Sequence, residues 1–112
     1  TIYGDGLQSR DFCYVDNVVQ ANLLACTAPG APGKYFNVAC GQRTTLLDVI
    51  RTVSQIVGRP VEPRFAPARS GDIKHSLADI TRAREVLGYT APIDFEEGLR
   101  RSVAWYRDRL KA

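Results

Sequence analysis

Two loops of this 112-residue chain carry the side chains whose chemistry is easiest to name. Arg10 stands where a β-prone run begins beside the glycine-rich turn Gly4-Asp5-Gly6, and Arg69 precedes Gly71-Asp72 in a polar stretch that no apolar periodicity explains. A guanidinium presents a fixed fork of donors, so two of them suit a diphosphate, and a nearby carboxylate suits a sugar or ribose hydroxyl. The same groups can equally close surface ion pairs, Arg10 with Asp11 or Asp16 and Arg69 with Asp72. Both readings stand on the residues alone.

Other catalytic patterns are missing. There is no G-x-G-x-x-G after a strand, no Walker loop, no nucleophile elbow and no HExxH, so these residues build neither a nucleotide cradle nor a hydrolytic site by themselves. His75 is the only imidazole, and no Ser, Cys or carboxylate partner is evident to mark it as a general base; a solvated or hydrogen-bonded histidine is expected. Cys13, Cys26 and Cys40 form an odd set without a C-x-x-C pair, which supplies neither a disulfide framework nor a zinc site and fits a reducing cytoplasm. Cys13 lies in an apolar run, where a buried and inert thiol is expected. Arg100, Arg101, Arg107, Arg109 and Lys111 are interrupted by apolar residues and read as a solvated helix face.

The elements that must hold these groups follow from periodicity and caps. Thr1 to Tyr3 and Asp11 to Val15 read as β-prone runs around the Gly4-Asp5-Gly6 turn, a hairpin or bulged pair. Asp16 is placed to cap a helix running to about Thr27, with Val19, Leu23 and Cys26 on its apolar face, widened by Val18 and Leu24. Pro29 to Gly33 ends it, and Tyr35 to Ala39 reads as a short buried strand followed by a turn at Gly41. Thr45 and Asp48 make a capping box for the clearest helix, whose Leu46, Val49, Ile50, Val53, Ile56 and Val57 recur at helical spacing up to Gly58. Val61 to Ala66 reads as an edge strand because Pro60 and Pro63 remove ladder donors. Asp79 caps a short helix ending at Gly88, and Asp94 with Glu97 opens a last helix striped by Phe95, Leu99, Val103, Tyr106 and Leu110.

Hydrophobic residues make up 45% of the chain and charged residues 24%, which argues against disorder and for one globular domain over residues 1–112. A net charge of +3 falls well short of the dense basic face that a nucleic-acid backbone demands. No window approaches the roughly 18 consecutive apolar residues of a membrane span, and Thr1 to Gly4 has neither the basic head nor the apolar stretch of a signal peptide. The chain lacks an initiator Met and opens inside a β-prone run, so a piece of a longer protein is expected.

The stretch from Gly4 to Val18, read as G-D-G-x-x-x-R-D-F-x-Y-V-D, resembles a segment of NAD-dependent nucleotide-sugar epimerases and dehydratases of the extended short-chain dehydrogenase/reductase family. The resemblance continues in order through Tyr35-Phe36-Asn37-Val38-Ala39, Thr44-Thr45-Leu46, Arg69-Ser70-Gly71-Asp72, Ser76-Leu77-Ala78-Asp79, Leu87-Gly88-Tyr89 and Glu97-Gly98-Leu99 to Trp105-Tyr106. It covers the whole chain and is similar to the C-terminal part of UDP-hexose 4-epimerases. The run Arg10 to Gln20 is most similar to UDP-N-acetylglucosamine 4-epimerases of bacterial surface-polysaccharide pathways.

The resemblance implies a mixed α/β substrate-binding lobe of an extended Rossmann-type epimerase, with the NAD loop and the catalytic Tyr-x-x-x-Lys pair in a preceding domain. The implied reaction removes a hydride from sugar C4 to NAD, lets the 4-keto sugar turn, and returns the hydride to its other face. This lobe would contribute binding rather than bond chemistry. Carried over by position, Arg10 and Arg69 clamp the diphosphate, Asp72 binds the uridine ribose, and Tyr3 packs on uracil while the Thr1 backbone meets its edge. Ser76 falls where the sugar's C2 substituent is accommodated, and its small size leaves room for an N-acetyl group. An apolar face left for the Rossmann domain implies a tendency to dimerise or aggregate. Two further readings are a 4,6-dehydratase or decarboxylase lobe, and a module that binds nucleotide sugars without catalysis.

Overall fold

The computed structural model describes residues 1–111 as a slab of 48 × 38 × 20 Å. Its radius of gyration is 16.6 Å, against about 13 Å for a compact domain of this length. The elements run β1 (Ile2–Tyr3), β2 (Ser9–Arg10), α1 (Val15–Thr27), β3 (Thr44–Thr45), α2 (Leu46–Val57), β4 (Phe65–Ala66), a π-helical turn (Ala83–Leu87) and α3 (Phe95–Lys111). Helices carry the mass and the strands are two residues long.

The local signals for helix ends hold. The Thr45 hydroxyl accepts the Asp48 amide at 3.1 Å and the Asp48 carboxylate accepts the Thr45 amide at 3.3 Å, so the capping box is complete. The Thr45 hydroxyl also donates to Asp48 Oδ2 at 2.7 Å, and that bond, followed by the Thr45 amide, holds the Asp48 carboxyl below the ordinary carboxylate range. Asp79 Oδ1 accepts the Thr81 amide and Asp94 Oδ1 accepts the Glu97 amide, each at the start of its helical segment. Gly58 and Gly88 close theirs in the left-handed region.

Strand pairing departs from the sequence reading. Residues 1–3 and 11–15 form no hairpin: β1 pairs in parallel with β4 (Ile2↔Phe65, Tyr3↔Ala66), and β2 pairs antiparallel with β3 (Ser9↔Thr45, Arg10↔Thr44). Gly4 and Gly6, at φ 104° and 79°, turn the chain between the two ladders. Beyond β2 a side chain replaces the ladder, because the Asp11 carboxylate accepts the Cys40 and Gly41 amides at 2.9 and 2.8 Å. Tyr35 to Ala39 joins no ladder among the described residues, and only Phe65–Ala66 of the expected 61–66 strand is paired. Extended backbone becomes strand only where another edge offers it hydrogen bonds.

The buried face of α1 also differs from expectation. Tyr14, not Asp16, is the N-cap residue, and its side chain makes no capping bond. Val19 and Leu23 are 51% and 65% exposed, while Asn17 and Ala21 are buried. Ala21 packs with Ala31, Ala39, Ile80, Ala83, Leu87 and Tyr89 in the core cluster, flanked by Leu24, Ala25 and Ala28. Small side chains let the helix backbone approach the 80–89 segment closely, and that contact outweighs the larger aliphatic face. On α3, Gly98 serves a similar approach, since a Cβ there would lie 2.7 Å from Tyr14 Cβ.

Candidate functional site

Both arginine loops meet at the open end of β1 and β2. Gln8, buried just before β2, donates through Nε2 to the Tyr3 carbonyl at 2.8 Å and so ties the end of β1 to the turn. Asp5 accepts the Leu7 amide at 2.9 Å and takes Lys74 Nζ on both oxygens at 2.6 and 2.7 Å. The Lys74 contact chiefly holds the Asp5 carboxyl below its ordinary range. Loop 67–76 is thereby moored beside the glycine turn.

Arg10 is held from three sides. Its Nη1 donates to the Ser9 carbonyl at 2.7 Å and the Lys74 carbonyl at 3.3 Å, and its Nη2 donates to Asp72 Oδ1 at 3.1 Å. Two of the five guanidinium donors remain uncommitted. The ion-pair partner is therefore Asp72, not Asp11 or Asp16: Asp11 is taken by backbone amides and Asp16 lies 3.4 Å from Arg101. Arg69 forms no ion pair among the described residues; its guanidinium lies 3.9 Å over the Tyr3 ring, a cation–π contact.

Thr1, Tyr3, Arg10, Arg69 and Asp72 line one cavity of about 140 Å³, joined by Gln8 and Leu46. A neighbouring cavity of about 210 Å³ shares Tyr3, Gln8, Arg69 and Asp72 and adds Asp5 and Lys74. Together they form one cleft near the lower end of small-ligand sites, about 300 Å³. Three cations and two carboxylates line it, so an anion with hydroxyls is the complementary ligand. Ser76 stands outside both cavities and is exposed; its amide donates to the Ser9 carbonyl at 3.1 Å. Gln8, Asp5, Lys74 and a Ser9–His75 contact went unread in the sequence, and only their nearness to the two arginine loops could have marked them.

The remaining reactive groups form no second centre. Cys13 and Cys40 are half-buried beside Tyr89, whose hydroxyl donates to the Ala39 carbonyl at 2.7 Å. Burial, and then Cys13, pushes the Cys40 thiol up to about 11, which leaves it protonated and unreactive. Among the described residues no three His, Cys, Asp or Glu side chains gather to hold a metal ion, and no helix is long and apolar enough to cross a membrane.

Comparison with known proteins leads to enzymes of nucleotide sugars. Residues 1–39 match the NAD dependent epimerase/dehydratase family. A UDP-glucose 4-epimerase of Mycolicibacterium smegmatis is 40% identical over 108 residues, which cover 96% of this chain and 34% of that protein. The crystal structure of a UDP-glucose 4-epimerase from Thermotoga maritima with UDP-glucose superposes with a TM-score of 0.90 at 39% identity, covering 97% of this chain and 35% of that one. A UDP-N-acetylglucosamine 4-epimerase from Methanobrevibacter ruminantium, in complex with UDP-N-acetylmuramic acid, gives 0.81 at 38% identity over 96% of this chain and 34% of that one. The chain thus spans about a third of the length of the relatives it matches.

Proposed function

Because the chain belongs to the NAD dependent epimerase/dehydratase family, we propose that it is the part of a UDP-hexose 4-epimerase that holds the uridine diphosphate while the sugar reacts. Its mixed α/β fold matches the C-terminal part of extended Rossmann epimerases. The observation that carries the proposal is the meeting of Arg10, Arg69, Asp72, Tyr3 and the Thr1 end in one cleft from loops some sixty residues apart. Arg10 and Arg69 supply forked donors to the two phosphates, Asp72 accepts a ribose hydroxyl, and the Tyr3 face takes the base once Arg69 turns from it to phosphate.

NAD is the family's cofactor, and these residues do not fit it. A dinucleotide cradle needs open glycine backbone leading into a helix, whereas a Cβ on Gly6 would lie 2.7 Å from the Leu47 side chain, so protein already fills that space. Binding and orientation are the whole contribution proposed here. In calorimetry the chain is expected to bind UDP and, with no Tyr-x-x-x-Lys pair, to interconvert no sugars. Turnover by these residues alone, or no UDP binding, overturns the assignment.

Ser76 sharpens the substrate to UDP-N-acetylglucosamine. By the family resemblance Ser76, four residues beyond Asp72 on the same loop and outside both cavities, falls where the C2 substituent of the sugar is accommodated, and its small side chain would leave room for an N-acetyl group. In the whole enzyme, Ser76→Tyr is expected to lower kcat/KM for UDP-N-acetylglucosamine about tenfold or more relative to UDP-glucose, since overpacking penalises the larger ligand and each 1.4 kcal/mol or so is about tenfold. Equal effects on both sugars would remove Ser76 from substrate selection. A 4,6-dehydratase would share the same UDP-binding residues, and detection of a 4-keto-6-deoxy product identifies it.

A further inference from the structure

The seam beside Arg10 is built on a serine–histidine contact. Ser9 is 2% exposed and its hydroxyl lies 2.8 Å from His75 Nδ1, although the two residues are 66 apart in sequence. The same serine donates its amide to the Lys74 carbonyl at 2.9 Å and accepts the Ser76 amide on its own carbonyl at 3.1 Å. All three polar groups of Ser9 therefore contact residues 74–76. The two carbonyls in this seam, of Ser9 and Lys74, are the two that hold Arg10 Nη1. The spacing of the seam, together with the Asp72 bond to Nη2, thus sets where the guanidinium points.

We propose that His75, acting through the Ser9 hydroxyl, is a positioning residue that aims Arg10 at the diphosphate. The argument rests on the UDP-binding reading and deepens it. Main-chain bonds alone leave two short segments free to slide and splay, and the side-chain bond pins them between the carbonyls that Arg10 uses. Loss of His75 leaves the buried Ser9 hydroxyl without its partner, loss of Ser9 releases the exposed imidazole to water, and either change lets the Lys74 carbonyl drift from Arg10. His75 touches no ligand in this scheme, because it lines neither cavity.

The test measures UDP affinity by calorimetry in His75→Ala, Ser9→Ala, the double variant and His75→Asn, alongside the Arg10 Nε–H resonance and thermal unfolding. Each single alanine is expected to weaken UDP binding about three- to tenfold, with the double no worse than the singles. The His75→Asn variant, whose side-chain amide can meet the serine hydroxyl, is expected to restore affinity to within about twofold of the native chain. The Arg10 resonance should shift in both alanine variants and return in the rescue. Unchanged affinity with an unchanged resonance, or a fall in thermal stability alone, overturns the positioning role. If the native chain fails to bind UDP while the resonance still responds to His75→Ala, the functional reading fails and the positioning stands.

Discussion

Replacing Asn17 by leucine is expected to destabilise the chain by about 3 kcal/mol or more, although the two side chains branch alike and carry the same number of heavy atoms. Asn17 is fully buried on α1; its Nδ2 donates to the Ile93 carbonyl at 2.7 Å and its Oδ1 accepts the Ile93 amide at 2.9 Å. One side chain thus exchanges a pair of hydrogen bonds with a backbone 76 residues away, as one strand does with another, and joins α1 to the chain entering α3. Leucine overfills the space and satisfies neither group. Two orphaned backbone groups at roughly 1 to 3 kcal/mol each, less what water recovers, give the figure. Thermal unfolding reads it as a fall of about 10 °C or more in Tm. A change within about 0.5 kcal/mol would show that Ile93 finds other partners and that the bridge is dispensable.

Arg10→Ala is expected to weaken UDP binding by about 1.5 to 3 kcal/mol, roughly 10- to 150-fold, with little change in stability. Two effects act in the same direction. The variant removes a charged fork from the cleft, and it leaves the Asp72 carboxylate, 3.1 Å from Arg10 in the native chain, without its cation beside the bound diphosphate. Arg10→Lys retains charge and loses the fork, so it should fall between the native chain and the alanine variant. Arg69→Ala should fall at the lower end of the range, because free Arg69 must first give up its contact with Tyr3. Calorimetry at two salt concentrations separates the charge from the shape contribution. Unaltered affinity in both alanine variants would reduce these arginines to surface ion-pair and stacking partners.

What could be read in advance divides by range. The Thr45/Asp48 box and the Asp79 and Asp94 caps were legible because a cap and its target lie within three residues, so the pattern and the interaction are the same object. The pairings β1 with β4 and β2 with β3 were not, since two-residue strands carry no periodicity that names a distant partner. The α1 face was misread for a related reason: apolar bulk pointed to Val19 and Leu23, but the neighbour that decides the contact, Ala83, lies more than fifty residues on. For the site, Arg10 and Arg69 announced themselves by charge and glycine context. The reading of Thr1, Tyr3, Asp72 and Ser76 came from family resemblance, and the Ser9–His75 bond had no local signal at all.

The alanine-lined contact at the centre of the slab inverts the usual rule for which positions tolerate change. In a thick domain the large aliphatic residues are the constrained ones, because each fills a pocket cut to its own shape. Here α2 has no fully buried residue, so exchanges among its leucines, isoleucines and valines can relax toward solvent. Ala21 and Ala83, 2% and 0% exposed, have nowhere to grow. In this chain taken alone, substitutions should therefore be tolerated more readily along α2 than at these methyl groups, where one added carbon must push two backbones apart.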